Sequence, residues 1–242
     1  MKKLPIYLLL IISSSQLTSC YKVGDIIFND QKMNNDCQIT RVGQRSGYGD
    51  LVIFGNITYN KHSQPVSVVF DTLNTITPWR FFEYDKSHRL IEYRVEWGPG
   101  REFYKEIHHY GYKGNLIIVD TAYLEIEGTF NLIYHLEYDN KKRVIKQDEY
   151  VLNNDGTTTF FRTLHYDYGT DGNLVIENQS YDNKPSYIAT NNIWMFVNRN
   201  YSKNNIAGAV TYNDHDLPLT FNNSNGAFLD NSTPDEIEYT CE

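Results

Sequence analysis

From Val52 to Glu177 the chain alternates apolar and polar residues with a period of two, as strands with one buried face do. Leu132, Tyr134, Leu136 and Tyr138 fall on one side of such a run, and Ile133, His135 and Glu137 on the other. Five or six segments repeat a longer pattern: a run ending in tyrosine, a polar turn of about five residues, then an aliphatic residue opening the next run. They are Tyr59 with the turn Asn60–Gln64, then Tyr84 to Leu90, Tyr110 to Leu116, Tyr138 to Val144, Tyr168 to Leu174, and Tyr212 to Leu219. The middle four share one spacing, while the first and last are one residue longer and carry Pro65 or Pro218 before the aliphatic position. Tyrosine-to-tyrosine steps of 25, 26, 28 and 30 residues are followed by one of 44, which marks an insertion.

Each unit reads as a β-hairpin. An Asp or Asn after the strand can bond its own backbone and start a turn, and Gly or Asn can close it in the left-handed conformation. Further turns are expected at Gly98-Pro99-Gly100, Glu127-Gly128 and Asn153-Asn154-Asp155-Gly156. Hairpin following hairpin predicts an all-β fold: a long, twisted antiparallel meander of about a dozen strands, forming one β-repeat domain over 37–242. The alternation breaks over 186–205, where Ile193-Trp194-Met195-Phe196-Val197 is a continuous apolar run. That stretch is expected to be a short helix or a buried plug at one end of the sheet, capping a terminal edge.

The N-terminus changes the picture. Lys2 and Lys3 precede an apolar run, Leu4–Ile12, too short to span a bilayer, so residues 1–19 read as a signal peptide. Leu17-Thr18-Ser19-Cys20 resembles the bacterial lipobox, which implies lipidation of Cys20, followed by a polar tether over 20–36. With Cys20 lipidated, Cys37 and Cys241 remain as a pair bracketing the folded region in an oxidising compartment. A bridge clamping first strand to last is the favoured reading, and two buried thiols the alternative. The net charge of -8, from 30 acidic and 22 basic side chains, excludes a nucleic-acid partner.

Tyr84-Asp85 to Leu90 and Tyr138-Asp139 to Val144 resemble the YD repeats of Rhs-type proteins. The whole chain is similar to uncharacterised YD-repeat-like lipoproteins of Bacteroidota, in its lipobox, its cysteine-led first strand Cys37-Gln38-Ile39, its late Asn204-Asn205-Ile206 and its closing Tyr239-Thr240-Cys241. The resemblance implies a fold and a cell-envelope location, the outer membrane favoured over the inner. It implies no activity.

Candidate chemistry is sparse. His108-His109, His135 and His165 precede repeat tyrosines without metal-ligand spacing and read as strand residues on a solvated face. Asp167 to Gly172 is a turn, since Asn178 stands where a calcium loop needs a bidentate Glu. Glu83, Glu92, Glu96, Glu102, Glu106, Glu125 and Glu127 read as the solvent face, and Lys141-Lys142-Arg143 as a solvated hairpin tip. No metal, cofactor or catalytic residue is assigned. Trp79, Trp97 and Trp194 are the candidate ligand-binding residues, for a glycan or a protein. The expected function is a lipid-anchored, non-enzymatic binding or scaffold module. The alternative is a carboxylate-based, glycan-active envelope hydrolase, which needs two facing carboxylates in a cleft. The anchoring reading predicts that Cys20→Ser moves the protein from the membrane to the soluble fraction. Unchanged fractionation, with no lipid mass on the mature N-terminus, would refute it.

Overall fold

In the computed structural model, which describes residues 37–45, 52–71, 77–97, 105–125, 130–222, 229 and 234–241, the alternating runs form one large sheet. The expected signal peptide, Cys20, the expected tether and the turns expected at Gly98-Pro99-Gly100 and Glu127-Gly128 lie outside the described residues. The chain enters with β1 (Cys37–Arg45) and continues through β2 (Val52–Tyr59), β3 (Pro65–Phe70), β4 (Trp79–Tyr84) and β5 (Leu90–Glu96). Then come β6 (Lys105–Lys113), β7 (Leu116–Leu124), β8 (Asn131–Tyr138), β9 (Val144–Leu152) and β10 (Thr158–His165), each antiparallel to its predecessor. A small sheet of β11 (Tyr181–Pro185) and β12 (Asn204–Ile206) brackets a 3-10 turn, Tyr187–Thr190, and one short helix, α1 (Asn192–Val197). β13 (Ala209–Tyr212), β14 (Pro218–Phe221) and β15 (Glu236–Cys241) return to the large sheet on the free side of β1. The result has 13 strands in the order β10 to β1, then β15, β14 and β13. The meander reading of the sequence holds, and a two-sheet sandwich is excluded.

Local chemistry explains the turns. Asp85 Oδ1 accepts the backbone N–H groups of Ser87 (2.8 Å) and Arg89 (2.9 Å), and Asp139 does the same for Lys141 and Arg143 (both 2.9 Å). Asn60 and Asn213 head two more turns in the same way. The fourth turn residue is left-handed each time, at Ser63, His88, Lys142 and Asp216, with φ of 59 to 62°. That conformation costs a non-glycine residue roughly 1 kcal/mol, which the paired carboxamide or carboxylate bonds offset. Lys142 and His88 thus stand where glycine is usual because the Asx head holds the loop.

Tyrosine joins one hairpin to the next. Tyr84 lies opposite Leu90, and Tyr112 of the next hairpin donates its hydroxyl to the Leu90 carbonyl at 2.7 Å. Tyr84 itself reaches Pro65 O, which lies opposite Tyr59, and Tyr138 reaches Ile117 O, opposite Tyr112. The repeat tyrosine of the third hairpin is therefore Tyr112 rather than Tyr110, and its aliphatic partner is Ile117 rather than Leu116. Lys113 cannot head an Asx turn, so this hairpin closes tightly on Gly114-Asn115, with Gly114 at φ +61°, and the register moves. Tyr168 also departs from the arrangement of the other repeat tyrosines. It forms only an isolated bridge to Leu174 outside the large sheet, and its hydroxyl accepts the Tyr201 N–H.

The ladder also crosses the chain's ends. Tyr239 lies opposite Ile39, donates to Pro218 O at 2.9 Å, and Tyr59 donates to Ile39 O at 2.7 Å. The β15–β1 pair is thus one more hairpin of the series, cut where the others have a turn. At that cut Cys37 and Cys241 are disulfide-bonded, 204 residues apart in sequence. The bridge replaces the missing turn.

The insertion is not an end cap. Trp194 of α1 meets the rings of Tyr59 (6.4 Å) and Phe82 (5.6 Å), and Phe196 meets Tyr110 (5.4 Å). Tyr187 packs on Phe221 at the other wing. The segment runs along the inner face from β14 to β6, because a broad one-sided sheet must bury that face against something. Among the described residues no strand pairs with the free edge of β10, where Phe160 is 57% and Phe161 59% exposed. If the tyrosine ladder holds the hairpins in register, Tyr138→Phe should cost about 1 kcal/mol, the net value of one hydrogen bond. Tyr138→Ala should cost a few kcal/mol, and Lys141→Ala almost nothing. Urea unfolding of the three variants tests the order, and equal stability of Tyr138→Phe and the parent would remove the ladder from the account.

Candidate functional site

The three tryptophans do not converge. Trp194 is fully buried and belongs to the core, so it is not a ligand contact. Trp79 pairs with Phe81 (6.5 Å) on the outer face, where Arg94 lies 5.0 Å over the Phe81 ring. Trp97 alone borders a recess, of about 360 Å³, shared with Pro78, Arg80, Tyr93, Val95, Glu106, His108, Val197 and Leu229. Strand alternation builds it: 93, 95 and 97 of the β5 run face inward, as do 106 and 108 of β6.

His108 corrects the expectation of a solvated strand histidine. Its Nδ1 lies 2.7 Å from Asp120 Oδ1 and its Nε2 3.0 Å from Glu106 Oε1. Burial disfavours its charge, but the two carboxylates outweigh that and lift its pKa to about 9. The imidazolium form, donating from both nitrogens, is the neutral-pH state. Glu106 likewise leaves the solvent-face reading, since it sits beside His108 on the inner side. His109 and His135 do lie exposed on the outer face.

Behind His108 a chain of charges runs across the sheet. Asp120 Oδ2 accepts from Arg199 Nη2 at 2.6 Å, and Arg199 Nε donates to Gln147 Oε1 at 3.2 Å. Gln147 Nε2 donates to Glu149 Oε1 at 2.9 Å, and Arg162 Nε donates to Glu149 Oε2 at 2.6 Å. Burial alone would raise the Asp120 pKa, yet His108 and Arg199 hold it below the usual carboxylate range. Arg199 follows α1 at φ 50°, with Asn200 N–H on Met195 O and its own N–H on Phe196 O. This is a Schellman-type stop, whose left-handed residue is normally glycine. An arginine there costs backbone energy and places a guanidinium against Asp120 and Phe196 O. The strain serves the ion cluster.

No known family model matches the chain, and no curated protein does. The site must be read from its own chemistry.

Sequence patterning missed Asp120, Gln147, Glu149 and Arg199. One signal was present: Asp120 is a single acid inside Leu116–Ala122, otherwise apolar but for Thr121. Arg143 also departs from the solvated-tip reading. Its guanidinium forks onto Asp139 (2.7 Å) and lies 4.0 Å over the Tyr168 ring, leaving Lys141 as the exposed member. Glu102 and Glu127 lie outside the described residues.

The His108 pKa gives a pH dependence with a defined sign. Because the folded value, about 9, exceeds the ordinary 6.5, its stabilisation is complete below about pH 6.5 and is lost as pH rises through about 9. Unfolding midpoints should therefore fall between pH 7 and 10, and His108→Gln should flatten that fall. An unchanged slope in the variant would dissociate His108 from the alkaline loss.

Proposed function

We propose that the chain is a lipid-anchored cell-envelope protein of the YD-repeat-like kind, acting as a non-enzymatic binding module whose ligand is a sugar ring. The recess beside Trp97 is the observation that carries the reading. Its volume of about 360 Å³ suits one or two sugar units. The Trp97 ring offers the apolar side of a pyranose a stacking surface, and Glu106 can accept from its hydroxyls. Among the described residues, Glu106 is the one carboxylate lining the recess. Asp120 and Glu149 are buried and engaged by Arg199 and Arg162. That is a poor arrangement for a glycosidase, which needs two carboxylates flanking the bond it cuts. The tyrosine-laddered sheet supports the scaffold side of the same reading.

Titration with envelope polysaccharide fragments, followed by tryptophan fluorescence and calorimetry, tests it. Trp97→Ala should weaken binding by about tenfold or more, while Trp79→Ala on the outer face should not. Equal binding by the Trp97 variant, or no binding by the parent, would overturn the site. Appearance of new reducing ends would favour the hydrolase reading instead.

A further inference from the structure

The cut hairpin carries a second chemistry, independent of the sugar site. Cys37 and Cys241 close the β15–β1 pair, and the neighbouring hairpin β13–β14 brings the tip of its own turn to the same place. Asn213 builds that turn, accepting the N–H groups of His215 and Leu217 on its side-chain oxygen. It also points Nδ2 at Cys241 Sγ, 3.8 Å away. His215 is carried on the turn, and a ring nitrogen of His215 and the sulfurs of Cys37 and Cys241 all lie within 4.8 Å of one another. Two strands, the first and the last, and the β13–β14 turn thus converge on one soft-ligand cluster.

We propose that, once its disulfide is reduced, this cluster is a zinc-class metal site with Cys37, Cys241 and His215 as ligands. Two thiolates and a neutral imidazole match the donor set that zinc prefers, and water can fill the fourth tetrahedral position. Zinc–sulfur and zinc–nitrogen bonds of about 2.3 and 2.0 Å put neighbouring donors roughly 3.3–3.8 Å apart. On reduction the two sulfurs part to that spacing, and the His215 nitrogen, within 4.8 Å of both, has to approach by about 1 Å. Asn213 is placed as an outer-shell donor to one sulfur, of the kind that tunes thiolate ligands. The electron balance is simple. A dithiol reductant gives two electrons and two protons to the Cys37–Cys241 bond and leaves as its own disulfide. Each new thiol then loses its proton to solvent as the metal binds. Disulfide and metal are alternative clamps for the same cut hairpin, so the sheet keeps its closure in either redox state.

The test uses the full-length chain carrying Cys20→Ser, so that Cys37 and Cys241 are its only thiols. After dithiol reduction and removal of the reductant, cobalt(II) should produce a thiolate-to-metal charge-transfer absorption that saturates at one cobalt per chain, and zinc should abolish it. The oxidised chain should give no such band. His215→Ala should weaken zinc binding at least tenfold in the reduced chain. If the reduced chain loses its far-ultraviolet circular dichroism, recovery on adding zinc supports the site, and failure to recover overturns it. Equal zinc affinity in His215→Ala, or no cobalt band in the reduced parent, also overturns it.

Discussion

A phenol hydroxyl bonded to the backbone of the preceding hairpin is the interaction on which the rest of this structure depends. A meander fixes each strand only against its two neighbours, and a one-residue slip would exchange inner and outer faces. The tyrosine relay adds a longer reach. Tyr59, Tyr84, Tyr112 and Tyr138 each bond the carbonyl of the residue that opposes the tyrosine before it. Hairpins are therefore indexed to one another at a fixed height. Burial raises the pKa of these phenols, which keeps them protonated and donating. Arginine completes the unit: Arg89 lies 4.9 Å over Tyr112 and is forked onto Asp85, the head of its own turn.

Since the relay runs through β15–β1, the chain termini of the domain fall inside the repeat array and not at its ends. The first and last strands form one split hairpin, and the disulfide supplies the covalent link that a turn supplies elsewhere. In the chain-entropy view, closing a loop of this length disfavours the unfolded state by on the order of 5 kcal/mol. Among the described residues the edges of the sheet are β10 and β13. β10 carries a register shift between Phe160 and Arg162, a bulge of the type that discourages pairing with another sheet.

The inner face poses a second problem. Its apolar stripe is covered by Trp194, Met195 and Phe196, but toward β7 to β10 the stripe turns polar and charged, with Gln147 beside Asp120, Glu149 and Arg162. A buried charge is tolerable only when paired, and Arg199, forced into a left-handed stop after α1, supplies the countercharge. The insertion thus both fills the core and neutralises it. The recess lies where α1 ends and this coverage gives way to His108 and Glu106.

By itself the sequence determined the fold class, the hairpin units and the Asx-headed turns. These follow from period-two alternation and from contacts within five or six residues, which a local reading captures. Even there Tyr110 stood in for Tyr112, because a tight Gly114-Asn115 turn and an Asx-headed loop differ by one residue and shift the register. Tertiary structure decided what depends on residues far apart in the chain. Arg199 meets Asp120 across 79 positions, and Trp194 meets Tyr59 and Phe82 only because the insertion folds back along the sheet. His108 looked like any strand histidine until Asp120 and Glu106 were seen beside it. A charge's role is set by its partners in space, and alternation along a strand says which face a side chain takes without saying what covers that face.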